Sequence, residues 1–486
     1  MNAKFLPGRR LFVVVSLGLC FSTATLRAQS PVALQVDLAH PGRAIPPDFC
    51  GLSYEIIMVL PQEATRKHYF NPDNGPLIST FKTLGVKHLR VGGNTAERPT
   101  VAIPGPADID SLFGFAQAAG VKVVYTVRME GNTTAAAAGI AKYVMDHYRD
   151  DVSCFTVGNE PDKPWEYSEY LEKWKTFTAA ILAPDCAPDA KFCGPSARHQ
   201  SVEFARFFAN DMGGWNHLAC VTQHYYPRGD GDKITDSAEE RRLLLSPDLY
   251  QAYQTLYDAF VPAAKAKGTG YRLEETNSYG HGGAAGASDT FTASLWSVDY
   301  LYWWAWHDAA GMNFHTAGQK QPRGVPGPNR PNVYTPLTAV PNGIQVLPVG
   351  YGMKLFNLGS QGRLVPVNVV ANPDNLNLAV YGTVAADQTL HLTVINKEFG
   401  ATGRPAKLVI NSGLPGAHGK IILMSAPAGD ITAVEGITIG GEGIKQDGSW
   451  SGQWSDLPAA SAEGSLTVVV PAASAAVIEL QAHSEK

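Results

Sequence analysis

Two stretches of the chain carry carboxylates placed where they could do chemistry. In Thr156-Val157-Gly158-Asn159-Glu160-Pro161 a short apolar strand runs into a glycine, an Asn-Glu pair and a proline that stops it. Glu160 is therefore delivered at the C-terminal end of a strand. Leu273-Glu274-Glu275-Thr276-Asn277-Ser278 closes a second short strand with a further carboxylate. Two carboxyl groups held on opposite sides of a glycosidic bond are what acid/base cleavage of that bond requires. Of Glu274 and Glu275, alternation along a strand lets only one face the side on which Glu160 is met.

The elements that must position these residues repeat a helix-then-strand theme. Asn74-Gly75-Pro76 opens a helix through Ile78, Phe81 and Leu84, Gly85 ends it, and a strand over 86–91 follows. Pro106 opens the next helix, Gly120 ends it, and a strand follows over 121–127. Strand ends bearing polar residues fall at 51–55, 89–91, 123–128, 155–157, 192–196, 220–224, 271–273 and 311–315. Eight strands alternating with helices predict a parallel (β/α)8 TIM barrel over 46–357, whose chemistry sits at the C-terminal strand ends. Glu160 then follows strand four and Glu275 follows strand seven. Aromatics at helical spacing, Tyr167, Tyr170, Trp174 and Phe177, and the apolar run holding Trp303, Trp304 and Trp306, read as core.

Beyond 358 the texture changes to short alternating strands separated by Gly, Pro, Asn and Asp, which predicts a C-terminal β-sandwich domain over 358–486. The segment 29–45 holds a strand, 32–38, expected to return and pair with that domain. A Pro- and Gly-rich stretch at 319–332 reads as a long loop over the barrel mouth.

Composition narrows the function classes. Lys4, Arg9 and Arg10 precede an apolar run at 11–21, too short to span a bilayer, so residues 1–28 read as a signal peptide and the mature chain as secreted or periplasmic. No later stretch reads as a membrane span. Without those residues the 39 lysines and arginines fall to 35 against 44 acids, about −9, which argues against a nucleic-acid partner. Cys186 and Cys193 could close a small disulfide in an oxidising compartment, with buried free thiols as the alternative. No cysteine and histidine spacing resembles a zinc site, and two carboxylates need neither a metal nor an organic cofactor.

The Asn-Glu-Pro stretch at 159–161, the stretch at 273–278, His224-Tyr225-Tyr226, and the C-terminal stretches at 437–444 and 469–478 together resemble glycoside hydrolase family 79. That family includes bacterial β-glucuronidases and the heparanases, within a clan of retaining (β/α)8 glycosidases. The resemblance implies that Glu160 is the acid/base, that Asn159 holds the sugar 2-hydroxyl, and that Glu275 is the nucleophile, since Thr276 and Ser278 follow it in the family's pattern. It further implies that His224 and Tyr226 attend the catalytic pair, with Tyr226 bonded to Glu275, and that Glu55 and Asn94 bind hydroxyls.

A uronic-acid-containing carbohydrate substrate brings a carboxylate that the pocket must satisfy. Tyr279-Gly280-His281-Gly282-Gly283 offers a hydroxyl, an imidazole and backbone N–H groups suited to an anion-binding nest, and Tyr334 and Tyr351 are further donors. The expectation is a retaining exo-β-glucuronidase. Another retaining glycosidase, of the arabinofuranosidase or xylosidase type, would keep both glutamates without needing this loop. A non-catalytic carbohydrate-binding protein would keep the pocket alone.

Overall fold

Strand β1, Val32–Val36, stands apart from the eight strands that follow. These are β2 (Cys50–Glu55), β3 (His88–Gly92), β4 (Lys122–Val127), β5 (Val152–Val157), β6 (Phe192–Ala197), β7 (Leu218–Tyr225), β8 (Tyr271–Thr276) and β9 (Gly311–Thr316), and they close a parallel barrel in sequence order. Closure is made by β2 against β9, with Leu52 opposite Phe314. The computed structural model describes residues 30–63, 65–316 and 332–482. The expected signal peptide at 1–28 and all but the last residue of the loop expected at 319–332 lie outside them.

The helix boundaries follow the residues that set them. Asn74 Oδ1 accepts from Leu77 N to cap helix Gly75–Leu84, and Gly85, at φ 74°, ends it. Gly120, at φ 70°, ends helix Pro106–Ala119 in the same way. Helix Tyr167–Ile181 turns Tyr170, Trp174 and Phe177 into the core, and Trp303 and Trp304 are buried along helix Phe291–Trp306. None of these aromatics is a sugar platform.

Parallel barrel strands normally fill their interior with apolar side chains. Here the upper interior is polar: Arg90, Thr156, Ser196, Thr222, His224 and Glu274 are all buried. Such groups persist in a core only when their hydrogen bonds are made internally. Cys193 belongs to this interior, with its Sγ 2.7 Å from Cys154 Sγ, while Cys186 Sγ donates to Ala138 O on the outer helical layer. Cys186 and Cys193 therefore face opposite sides of the barrel wall, and the disulfide expected between them is not formed.

A mixed four-stranded sheet and a larger antiparallel sheet follow the barrel. β1 pairs in parallel with Ala406–Asn411 and antiparallel with Val367–Ala371, completing a four-stranded sheet. That sheet shares one hydrophobic core with the larger sheet, through Leu34, Leu408 and Val468 on one side and Leu392, Val394 and Ile478 on the other. The sequence does not mark helix Pro348–Gly359, which opens on a proline and packs beside helix Phe291–Trp306, nor strands Arg363–Val365 and Val367–Ala371. Across the junction the buried Lys397 Nζ lies 2.9 Å from Asp299 Oδ2, and Tyr381 donates to Asp299 Oδ1 at 2.6 Å.

Candidate active site

The chain leaves β5 through Gly158 at φ 85° and Glu160 at φ 49°. A left-handed backbone at a non-glycine residue costs roughly 1–3 kcal/mol and must be held by its surroundings. Glu160 N donates to Ser196 O at 3.0 Å, which fixes the turn against β6. The Glu160 side chain is thereby aimed across the mouth toward β8.

On β8 both glutamates face inward, although strict alternation allows only one to do so. Pairing advances from Thr222–Arg272 to His224–Glu275 against β7, and from Leu273–Met312 to Thr276–Phe314 against β9. One extra residue in β8 makes a bulge, and a bulge re-aims consecutive side chains. Glu275 reaches the mouth. Glu274 lies beneath it, fully buried, accepting from Ser196 Oγ and, at 3.2 Å, from Thr156 Oγ1.

Glu160 and Glu275 present carboxylate oxygens within 4.8 Å of each other, with a ring nitrogen of His224 inside the same distance of both. Tyr226 donates to Glu275 Oε1 at 2.8 Å and Arg90 Nη1 donates to Glu275 Oε2 at 2.6 Å. Arg90 Nη2 donates to Asn159 Oδ1 at 2.6 Å. Gly92 makes room for this guanidinium, since a Cβ there would stand 2.8 Å from Arg90 Cζ. His315 Nδ1 lies 3.7 Å from Glu275 Oε2, and His224 Nδ1 lies 3.1 Å from Glu160 Oε1. Lys163 closes on Glu160 Oε2.

These contacts set the charges. Burial alone would raise the Glu275 pKa, but His315, His224, Arg90 and the Tyr226 hydroxyl outweigh it and hold the carboxyl well below the ordinary range. Glu275 is ionised and aimed at the mouth, as a nucleophile must be. Burial opposes ionisation of Glu160 too, and His224 reverses it through a hydrogen bond and its charge. For His224, burial disfavours the imidazolium, yet Glu275, Glu160 and Glu274 around it lift its pKa to about 9. Glu160, His224 and Glu275 are also a possible metal-ligand set, as are Asp230, Asp232 and His281 at the rim. In the first group Arg90 already pairs with Glu275 and Lys163 with Glu160, and no metal is assigned there.

The cavity over the pair, about 520 Å³, is lined by Glu55, Asn94, Glu160, Tyr226, Glu275, Gly280 and Tyr334 among the residues singled out in the sequence. Sequence reading did not single out Arg98, Lys163, Arg198, His199, Gln200 or His315, which also line it. Nor did it single out Arg90, although a charged residue inside an apolar strand was a usable signal. Arg198 is engaged by Asp162 Oδ2 at 2.9 Å, whereas the exposed guanidinium of Arg98 has no ion pair among the described residues.

Several expected binding groups have other work. Glu55 accepts from Thr95 N at 2.7 Å and Thr95 Oγ1 at 2.6 Å, bracing the turn after β3 while one edge faces the cavity. Asn94 Oδ1 accepts from Lys163 Nζ at 2.5 Å. Asn159 and His224 sit behind the cavity wall rather than on it, clamped by Arg90 and Glu160. Tyr279 is fully buried away from the cavity, donating to Glu240 Oε2 at 2.7 Å, a carboxylate that Arg228 also engages. The N–H groups of Gly280 and Gly283 donate to Gly229 O and Gly280 O, so the expected nest is partly closed. Tyr351 lies under the β-domain, where its hydroxyl accepts from Ile444 N at 3.2 Å.

Neither the protein-family models nor the curated protein sequences compared with the chain give a match. Solved structures do. A 4-O-α-L-rhamnosyl-β-D-glucuronidase from Fusarium oxysporum 12S, in complex with Rha-GlcA, is similar over 92% of this chain and 100% of its own at 15% identity and a TM-score of 0.70. The GH51 arabinofuranosidase from Xanthomonas axonopodis pv. citri matches over 93% and 100% at 13% identity and 0.66. An α-L-arabinofuranosidase from Thermotoga maritima, in an arabinose complex, matches over 92% and 99% at 14% identity and 0.67. All three neighbours are glycosidases. At this identity the likeness establishes the fold, a TIM barrel with a sheet domain.

Proposed function

We propose that the chain is a retaining exo-β-glucuronidase of the family 79 type, exported from the cell, that releases terminal β-D-glucuronic acid by double displacement. The observation that carries the mechanism is the approach of Glu160 and Glu275 within 4.8 Å. Retaining glycosidases hold their carboxyls about 5–5.5 Å apart, whereas inverting ones need about 6.5–9.5 Å to admit a water. In the first step Glu275 attacks the anomeric carbon, the bond to the leaving oxygen breaks, and that oxygen takes a proton from the protonated form of Glu160, which its lowered pKa makes the minor form in the free site. A glycosyl ester of Glu275 results. In the second step Glu160 takes a proton from water, the water oxygen bonds to the anomeric carbon, and Glu275 leaves as a carboxylate. Loss of the Glu275 charge on ester formation favours ionised Glu160 at the moment when it must act as base.

The uronate preference is supported by the uncommitted Arg98, with Tyr334 stacked on Tyr226 at 6.3 Å between ring centroids and His199 and Gln200 on the same wall. The glucuronidase among the structural neighbours is in keeping with it. A neutral-sugar glycosidase of the arabinofuranosidase type is the second reading, favoured by the diversion of Tyr279 and the Gly280 and Gly283 N–H groups into the protein. Hydrolysis of a panel of aryl glycosides differing only in the sugar separates the two. A glucuronide cleaved fastest supports the uronidase, and an arabinofuranoside cleaved faster replaces it.

A further inference from the structure

Glu274 has no part in the double displacement, yet it is the most buried carboxylate of the site. We propose that Glu274 is a positioning residue that keeps His224 doubly protonated by facing the ring nitrogen opposite Glu160, so that His224 presents a permanent N–H to one oxygen of Glu160. The inference rests on the glycosidase reading for its role, though not for its test.

The geometry carries it. Ser196 Oγ on β6 and Thr156 Oγ1 on β5 pin both oxygens of Glu274 inside the barrel. Glu274 Oε1 then stands 3.8 Å from His224 Nε2, which makes no hydrogen bond among the described residues and is fully buried. On the far side of the ring Nδ1 lies 3.1 Å from Glu160 Oε1 and 3.9 Å from Glu275 Oε1. A neutral imidazole carries one N–H and one lone pair, so either tautomer would aim a lone pair at a carboxylate. Only the imidazolium offers a donor to each side. The charged and titratable groups around it are Glu160, Glu274 and Glu275 against Arg90, Lys163 and His199, with the Tyr226 hydroxyl completing the shell.

The consequence for the site is a division of labour between the oxygens of Glu160. His224 holds Oε1 in place through both steps, and Oε2, on the Lys163 side, is the oxygen that gives and takes the proton. No proton passes through His224. The extra residue in β8 that turns Glu274 inward is what makes this possible, because a regular strand would send the side chain outward.

Nitrogen-15 NMR of histidine-labelled protein tests the inference, with the His224 signals assigned by their loss in H224Q. Both ring nitrogens of His224 should be protonated at pH 7.5, with a titration midpoint near 9. In E274Q the midpoint should fall by about one pH unit or more. E274D keeps the charge but retracts it and should give an intermediate midpoint, which serves as the readout if E274Q does not fold. A neutral His224 at pH 7.5 in the wild type, or a midpoint unmoved in either variant, overturns the inference. Absence of glycoside hydrolysis would remove the glycosidase reading and leave this titration standing.

Discussion

Arg90 Nη1 donates to Glu275 Oε2 at 2.6 Å in a pair that is almost wholly withdrawn from solvent. A buried guanidinium costs free energy unless paired, and its second arm is used too, on Asn159 Oδ1 at 2.6 Å. One side chain thus ties the candidate nucleophile on β8 to the loop that carries the candidate acid/base after β5. The approach of the two glutamates to within 4.8 Å is held by this tie and by the Glu160–Ser196 backbone bond, rather than left to a flexible loop.

Glu275→Gln is expected to lower kcat/KM on an aryl glucuronide by about 10³-fold or more, because the amide cannot form the ester. It should also lower stability by about 3 kcal/mol, since Arg90 is left buried without its charge partner. Kinetics and urea unfolding of one preparation check both. An active variant, or one whose inactivation tracks Glu274 instead, would reassign the nucleophile.

Glu160→Ala should strongly slow substrates whose leaving oxygen needs a proton and spare the first step for activated aryl glycosides. Added azide should then restore turnover and yield a β-configured glycosyl azide, because a small anion attacks the covalent intermediate without a general base. An α-configured azide product would exclude retention.

His224 ties stability to pH. Its folded pKa, about 9, lies above the ordinary 6.5. Its contribution is therefore present in full below pH 6.5 and lost as pH rises toward 9, up to about 3 kcal/mol. Glu275 acts in the opposite sense: its depressed pKa adds stability above the ordinary 4.5 that is lost as pH falls below it. Urea midpoints of the wild type should decline between pH 6.5 and 9, and those of H224Q should decline less. Equal slopes would contradict the assignment.

Selectivity for a glucuronide over the matching glucoside should fall about tenfold in Arg98→Ala and in Tyr334→Phe, each losing a donor to the uronate. Tyr279→Phe should leave selectivity unchanged and reduce stability by about 1 kcal/mol through its lost bond to Glu240. Paired kcat/KM measurements on the two sugars decide it, and an effect confined to Tyr279 would reinstate the glycine loop as the uronate site.

The eight barrel strands were legible because each ends in a polar residue after an apolar run, and the first two barrel helices carry their own start and stop residues. Glu160 and Glu275 were legible for the same reason, being anchored to strand ends. What sequence could not carry was the direction of side chains that break the regular pattern. The β8 bulge turns Glu274 inward against alternation. Tyr279 follows a nucleophile motif in sequence but is drawn off by Glu240, which lies 39 residues earlier. Glu55 and Asn94 are captured by Thr95 and Lys163. Arg90 and His315 sit on strands that were recognised, but their roles depend on partners several strands away.

Retention on a uronide substrate is read most directly from the first product released. Proton NMR of 4-nitrophenyl β-D-glucuronide mixed with the protein, followed from the first minutes before mutarotation, reads both at once. The anomeric signal of β-glucuronic acid should appear first, with the α signal growing in later. First appearance of the α anomer, or no cleavage of the glucuronide while another aryl glycoside is cleaved, would contradict a retaining glucuronidase.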